Sequence, residues 1–361
     1  MKFKLGQRPE LNGLRAIAVL SVMACHADET FLRAGFIGVD IFFVISGFLI
    51  TALLIEEFDA TKRISLKLFY MRRVLRLAPA LIFMLAVYSF VSIFLFDFSR
   101  TLRNWGDALI VLFYSANWAR AFDMHSPTHL GHAWSLSIEE QFYALWPPLL
   151  WLMLRTFRAR WIVAASTAAL ALGVLAWRNY MLLGGASGAR IYNGLDTRAD
   201  ALMAGCFFGI LIASGLLPPQ IRGLASRVFV AAGLLGLIAL LGLTAGPAWD
   251  APIMFRWLYF GIAVLSAVVI LDCVMNPASV VKRFLALKPL VWIGTVSYGL
   301  YLWHYAIYSI MRDFQFTTIQ ILLFGNIMTF AVVTASFYFL EKPFLRLKKR
   351  FASVSGSTGG L

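Results

Sequence analysis

The chain has 361 residues, 60% hydrophobic and 14% charged, with a mean hydropathy of +0.77, which excludes a water-soluble globule: too much apolar surface would need hiding. A formal net charge of +14 would suit nucleic acid, but the basic residues sit in short clusters between apolar runs. That is how a membrane protein sets its orientation, and no basic stripe with interleaved aromatics lies outside the apolar runs, so nucleic acid is excluded as a partner.

In chain order, windows able to cross a ~30 Å hydrocarbon core fall near 11–27, 36–55, 77–96, 137–154, 161–182, 199–214, 227–246, 254–274, 290–310 and 317–340. The expected fold is therefore all-α: a polytopic integral membrane protein of about ten transmembrane helices. The opening "MKFKLGQR", an apolar stretch and "VMAC" mimic a cleavable signal, but Glu10 and Arg15 interrupt it and nine further spans follow. It is expected to remain as the first span. The segment 105–121 is apolar only in its middle, so a re-entrant or peripheral element is expected near 100–136. On that basis 22 of the 32 lysines and arginines fall on one side, which the positive-inside rule makes cytosolic, with both termini there. Residues 346–361 read as a basic and then disordered tail. Cys25, Cys206 and Cys273 lie in apolar surroundings at no metal-like spacing, so no disulfide framework or metal site is expected.

Ionisable groups at membrane depth are costly, and each calls for a reason. Arg15 and His26 are eleven residues apart, which puts them on one helix face about 16 Å from each other. Snorkelling would explain the arginine and an inert interfacial site the histidine; a proton acceptor near neutral pH is the functional reading. The second span, "GFIGVDIFFVISGFLIT", carries Asp40 and Ser46, with Gly38 and Gly47 suited to close helix contact. In "KLFYMRRVLRLAP", Arg73 and Arg76 are one turn apart beside Arg72 and could grip one anion, although positive-inside anchoring explains them too.

The stretch "HLGHAWSLSIEEQFYALWPPLLW" opens the fourth span with Glu139 and Glu140; Tyr143 shares a face with Glu139, and Ser135 lies a turn earlier. His125, His129 and His132 precede it without zinc spacing. Farther on come Asp196 and Arg198 in "NGLDTRADALMAG", then Tyr301 and His304 in "VSYGLYLWHY". Glu341 and Lys342 in "EKPF" mark a membrane boundary.

Seven stretches occur in order across nearly the whole chain: "RPELNGLRAIAVLSVMACH", "GFIGVDIFFVISGFLIT", "FYMRRVLRLAPA", "HAWSLSIEEQFYALWP", "DTRADALMAG", "VSYGLYLWH" and "EKPF". As a set they resemble the acyltransferase 3 family, bacterial inner-membrane enzymes that mostly O-acylate surface or exported carbohydrates. The resemblance implies a transmembrane acyltransferase domain over 1–345, without the fused SGNH domain some members carry. It implies transfer of an acyl group, above all acetyl, from cytosolic acyl-CoA to a hydroxyl of a cell-surface polysaccharide, lipid-linked glycan or other carbohydrate outside. The family's arginine-ten-histidine pattern falls on Arg15 and His26, its RxxR on Arg73 and Arg76, and its WSLSIEEQFY motif on Trp134, Ser135 and Glu139. Arg73 and Arg76, with Arg72 and Arg15, are then expected to hold coenzyme phosphates. His26 is expected as general base, oriented by Glu139 or Asp40, and the substrate is expected against Ser46, Trp134, Ser135, Glu140, Tyr143, Arg198, Tyr301 and His304. Direct transfer and a prior acyl-enzyme both remain open. The rival class is a multi-span transporter of a solute or lipid-linked sugar, which composition alone suits equally.

Overall fold

A computed structural model describes residues 3–28, 30 and 32–351, so residues 352–361 of the expected tail lie outside the described residues. Among the described residues every regular element is helical. That follows from an apolar chain without water: only internal hydrogen bonding satisfies its backbone. In chain order the helices are α1 (Pro9–Ala27), α2 (Gly38–Thr61), α3 (Leu66–Leu95), α4 (Phe98–Leu112), α5 (Ala116–Ala121) and α6 (Trp134–Thr156). Next come α7 (Arg160–Leu183), α8 (Gly188–Asn193), α9 (Leu195–Ala213), α10 (Gly223–Leu243) and α11 (Tyr259–Met275), the last extended backwards by a π-turn over Met254–Leu258. The chain ends in α12 (Val280–Leu285), α13 (Lys288–Thr295), α14 (Ser297–Asp313), α15 (Thr318–Gln320), α16 (Asn326–Ser336) and α17 (Lys342–Lys348), with π-turns fusing the last three into one long rod.

Each expected window falls on one of these helices, with 290–310 divided between α13 and α14. Among the described residues, six helical stretches are long and apolar enough to cross a membrane: Gly35–Thr61, Leu66–Leu95, Arg160–Leu183, Gly223–Leu243, Met254–Met275 and Thr318–Lys348. The other windows fall on α1, α6, α9 and the α13–α14 pair. These hold Arg15, His26, Glu139, Arg198 and His304, whereas Asp40 and Ser46 lie on α2 and Arg72, Arg73 and Arg76 on α3.

Helix α2 is central, mostly enclosed by protein, whereas α10 faces largely outward. Its tightest neighbour is α9. A Cβ on Gly47 would lie 2.0 Å from the Leu202 carbonyl oxygen, and one on Gly205 would lie 2.1 Å from that of Val44. Only glycine lets the two backbones approach so closely.

Between α3 and α6 lie two short helices, α4 and α5. Helix α4, at ~22 Å, is too short to span the hydrocarbon core, and α5 is shorter still. Asp97 caps α4 by accepting a hydrogen bond from the Arg100 amide. Its buried residues Thr101, Asn104, Asp107, Ala108 and Val111 follow helical spacing and face inward. The turn holds Tyr114 at φ +51°. Gln141, on α6, fixes that turn: its amide donates to the Tyr114 carbonyl at 2.8 Å and to Asn117 Oδ1 at 2.9 Å.

Candidate active site

One cavity of about 440 Å³ runs into the bundle between α1, α2, α3, α6 and α14, with α17 at its rim. Its open end is built where α2 ends and α3 begins. There Arg72 reaches Glu57 at 3.4 Å and donates to the Phe351 carbonyl at 3.0 Å, folding the end of the described chain over the mouth. Lys4 and Lys348 also line this end.

Deeper in, three arginines behave differently. Arg73 is committed: it grips Glu140 through Nε (2.9 Å) and Nη2 (2.6 Å), and its guanidinium carbon lies 3.3 Å from the Tyr143 ring centre. Arg15 and Arg76 make no hydrogen bond or ion pair among the described residues, and Arg15 only approaches the Phe42 ring, at 5.8 Å. All three are close enough for their charges to be felt by one another. Both are half-buried and feel the Glu139 carboxylate without bonding to it, so two guanidiniums with free donors face a cavity that can take an anion. The buried Ser297 hydroxyl, also without a hydrogen-bond partner among the described residues, belongs to a residue lining the same space.

At the cavity's inner wall Glu139 accepts from the Ser46 hydroxyl and from Tyr143 at 2.6 Å. Beside it Tyr301 donates to the His132 carbonyl at 2.8 Å, leaving its oxygen to meet Ser135 at 2.6 Å. That wall separates the cavity from a histidine cluster. His26 Nδ1 lies 2.8 Å from His304 Nε2, with the rings stacked at 5.2 Å. Tyr305 sits between His26 (4.8 Å) and His132 (4.9 Å). His132 is buried, and neither ring nitrogen has a hydrogen-bond partner among the described residues. Arg312 donates to the His26 carbonyl at 2.8 Å and so caps the end of α1.

Ten of the fifteen residues expected at the site therefore line one cavity: Arg15, Arg72, Arg73 and Arg76 with Glu139 and Glu140, and Ser46, Ser135, Tyr143 and Tyr301. His26 and His304 form a pair behind its inner wall. Asp40, Arg198 and Trp134 stand apart. Asp40 Oδ1 accepts from Arg198 at 2.7 Å, both side chains are buried, and Arg198 stacks 3.6 Å from the Tyr259 ring centre. Trp134 packs on Tyr192 at 4.5 Å. The expectation that Glu139 or Asp40 orients His26 is thus corrected: each is bonded elsewhere, and His304 holds the ring.

The residues not expected are His132, Tyr305, Arg120 and Arg312. His132 and Tyr305 lie within motifs already singled out, next to Trp134 and His304. Arg120 and Arg312 had no local signal. Arg120 bonds Asn193 at 3.2 Å and passes 2.7 Å from where a Gly131 Cβ would be, so a side chain there would displace it. His125 and His129 turn away from this cluster, to Asp107 at 2.6 Å and to Tyr88 and Asp313, each at 3.1 Å.

The chain is 34% identical over 346 residues to the peptidoglycan O-acetyltransferase OatA of Listeria monocytogenes, covering 93% of this chain and 55% of that protein. It is 32% identical over 356 residues to the O-acetyltransferase OatA of Staphylococcus aureus, covering 93% and 57%. The chain thus spans about half the length of these curated relatives. No solved structure matches. The family model described as an acyltransferase domain matches residues 8–341, and the chain belongs to the acyltransferase 3 family.

Proposed function

We propose that the protein is a membrane O-acetyltransferase that takes an acetyl group from cytosolic acetyl-CoA and delivers it to a hydroxyl of a cell-envelope glycan on the far side. The observation that carries this reading is the pair of unpartnered guanidiniums, Arg15 and Arg76, inside a cavity whose inner wall backs on the His26 cluster. Two such charges suit a phosphate-bearing ligand, and the family match favours an acyl donor over the phosphate-linked sugar of a transporter. The relatives' names point to peptidoglycan as the acceptor class. A lipid-linked glycan would present the same hydroxyl chemistry.

In this reading all ten helical windows cross the inner membrane, α4 and α5 form a re-entrant hairpin, and both termini are cytosolic. The coenzyme's phosphates lie on Arg76, Arg15 and Arg72, while Glu140 keeps Arg73 in place as the wall of the site. The thioester reaches the Ser135–Tyr301 wall. The acceptor oxygen attacks the thioester carbonyl carbon and its proton passes to His26. The new C–O bond forms, the C–S bond breaks, and the departing thiolate takes the proton back from His26 to leave as the coenzyme thiol. General-base help is worth ~10²–10⁴-fold, with the remainder supplied by holding the two substrates together.

Proteoliposomes test this directly. Given radiolabelled acetyl-CoA on the cytosolic face and a glycan acceptor on the other, the protein should release coenzyme A only when the acceptor is present, with label on the glycan. Flux of the glycan without loss of thioester would overturn the reading in favour of transport.

A further inference from the structure

Two hydrogen bonds fix where the protons of the histidine pair sit. His304 Nδ1 lies 2.8 Å from the Leu300 carbonyl oxygen. A carbonyl has no hydrogen to give, so Nδ1 carries the proton and donates. In a neutral ring Nε2 is then a bare acceptor, and it faces His26 Nδ1 at 2.8 Å. His26 Nδ1 must therefore carry its own hydrogen, which leaves His26 Nε2 as an open lone pair. Neutrality follows from the surroundings: among the described residues no carboxylate bonds to either ring, the neighbouring rings are His132, Tyr301, Tyr305 and Tyr308, and the charges felt at His26 from Arg312 and Arg120 are themselves positive. An imidazolium at rest would have no counter-charge there.

We propose that His304 is a positioning residue: it locks His26 in the Nδ1–H tautomer and so makes Nε2 the proton-accepting atom for the acceptor hydroxyl. The inference rests on the reading of His26 as base. The usual orienting group for a catalytic histidine is a carboxylate, which also balances the imidazolium that forms. Here a second imidazole, itself held by a main-chain carbonyl, supplies the orientation without the charge. When Nε2 takes the hydroxyl proton, the Nδ1–H bond to His304 shortens and stabilises the cation, and the proton leaves with the thiolate. The lock is rigid because His304 is fully buried, and Arg312 pins the carbonyl at the end of α1.

The test uses the full chain in proteoliposomes with His304→Ala and His304→Gln, the glutamine because its Oε1 can accept near the place of Nε2. His304→Ala should lower kcat by ~100-fold with the KM for acetyl-CoA unchanged, and His304→Gln should recover most of that loss. Nitrogen-15 solid-state NMR of histidine-labelled protein should find His26 protonated at Nδ1 and bare at Nε2 in the parent, and the reverse in His304→Ala. A parent protein protonated at Nε2, a wild-type kcat in His304→Ala, or a glutamine variant no better than alanine would each overturn the proposal. Because the spectrum reads the tautomer without turnover, failure of the lock is distinguishable from failure of His26 as base, which His26→Ala reports by staying active.

Discussion

Two groups of arginines sit in the same bundle, one buried and one half-buried, and they are treated in opposite ways. In the α2–α7–α9–α11 layer, Arg198 meets Asp40 at 2.7 Å and Arg178 meets Asp200 at 2.7 Å. Arg178 also donates to the carbonyls of Phe255 and Thr197, each at 2.7 Å. These cations are matched by anions, and none of the four lines the cavity. Between α1, α3 and α6, Arg73 bonds its carboxylate, but among the described residues none bonds Arg15 or Arg76, which only feel the Glu139 charge nearby. A low-dielectric interior tolerates a charge only when something balances it. Where the balance is internal, the charge is structural. Where it is missing and a cavity adjoins, a ligand supplies it.

The largest expected effect comes from the reacting atoms themselves: His26→Ala should cut acetyl transfer by ~10²–10⁴-fold while leaving coenzyme A affinity intact. Next, Asp40→Ala strands Arg198 in the apolar layer and should cost ~3–5 kcal/mol of stability, read as a lowered unfolding temperature in detergent. The comparison sharpens if Asp40→Leu with Arg198→Met, which removes both charges, regains most of that stability and keeps transfer. Loss of transfer in a stable double variant would move the pair from framework to chemistry. Gly47→Ala, which drives a methyl into the Leu202 carbonyl, should cost ~1–3 kcal/mol through the α2–α9 contact. Arg76→Ala should do the reverse of Asp40→Ala. It should raise the KM for acetyl-CoA ~10-fold or more, as loss of a charge-assisted bond worth ~1.5–3 kcal/mol implies, with an unfolding temperature at or above the parent's.

Much of this contrast was legible in the sequence, and what escaped has a common cause. Helix positions follow from apolar length, so all ten windows fall on helices, and 105–121 falls on two short ones, α4 and α5. The polar residues of the cavity announced themselves by standing in the wrong solvent. Pairing did not. Helical spacing tells which residues share a face but not which neighbour that face meets. Asp40 and Arg198 are 158 positions apart, and His26 and His304 are 278. His26 was therefore expected beside a carboxylate and lies beside an imidazole. Arg73 and Arg76 looked equivalent, one turn apart, until Glu140 was found to hold only the first. Arg120 and Arg312 reach the histidine cluster from segments with no unusual local pattern.

The central claim is that the two unpaired guanidiniums await an anionic donor, and coenzyme A binding tests it most directly. Titrated into the protein in nanodiscs, coenzyme A should bind and raise the unfolding temperature of the parent and of the Asp40→Leu, Arg198→Met variant. Arg15→Ala combined with Arg76→Ala should abolish that response while remaining folded. Parent-like coenzyme A affinity in the Arg15→Ala, Arg76→Ala protein would contradict the account.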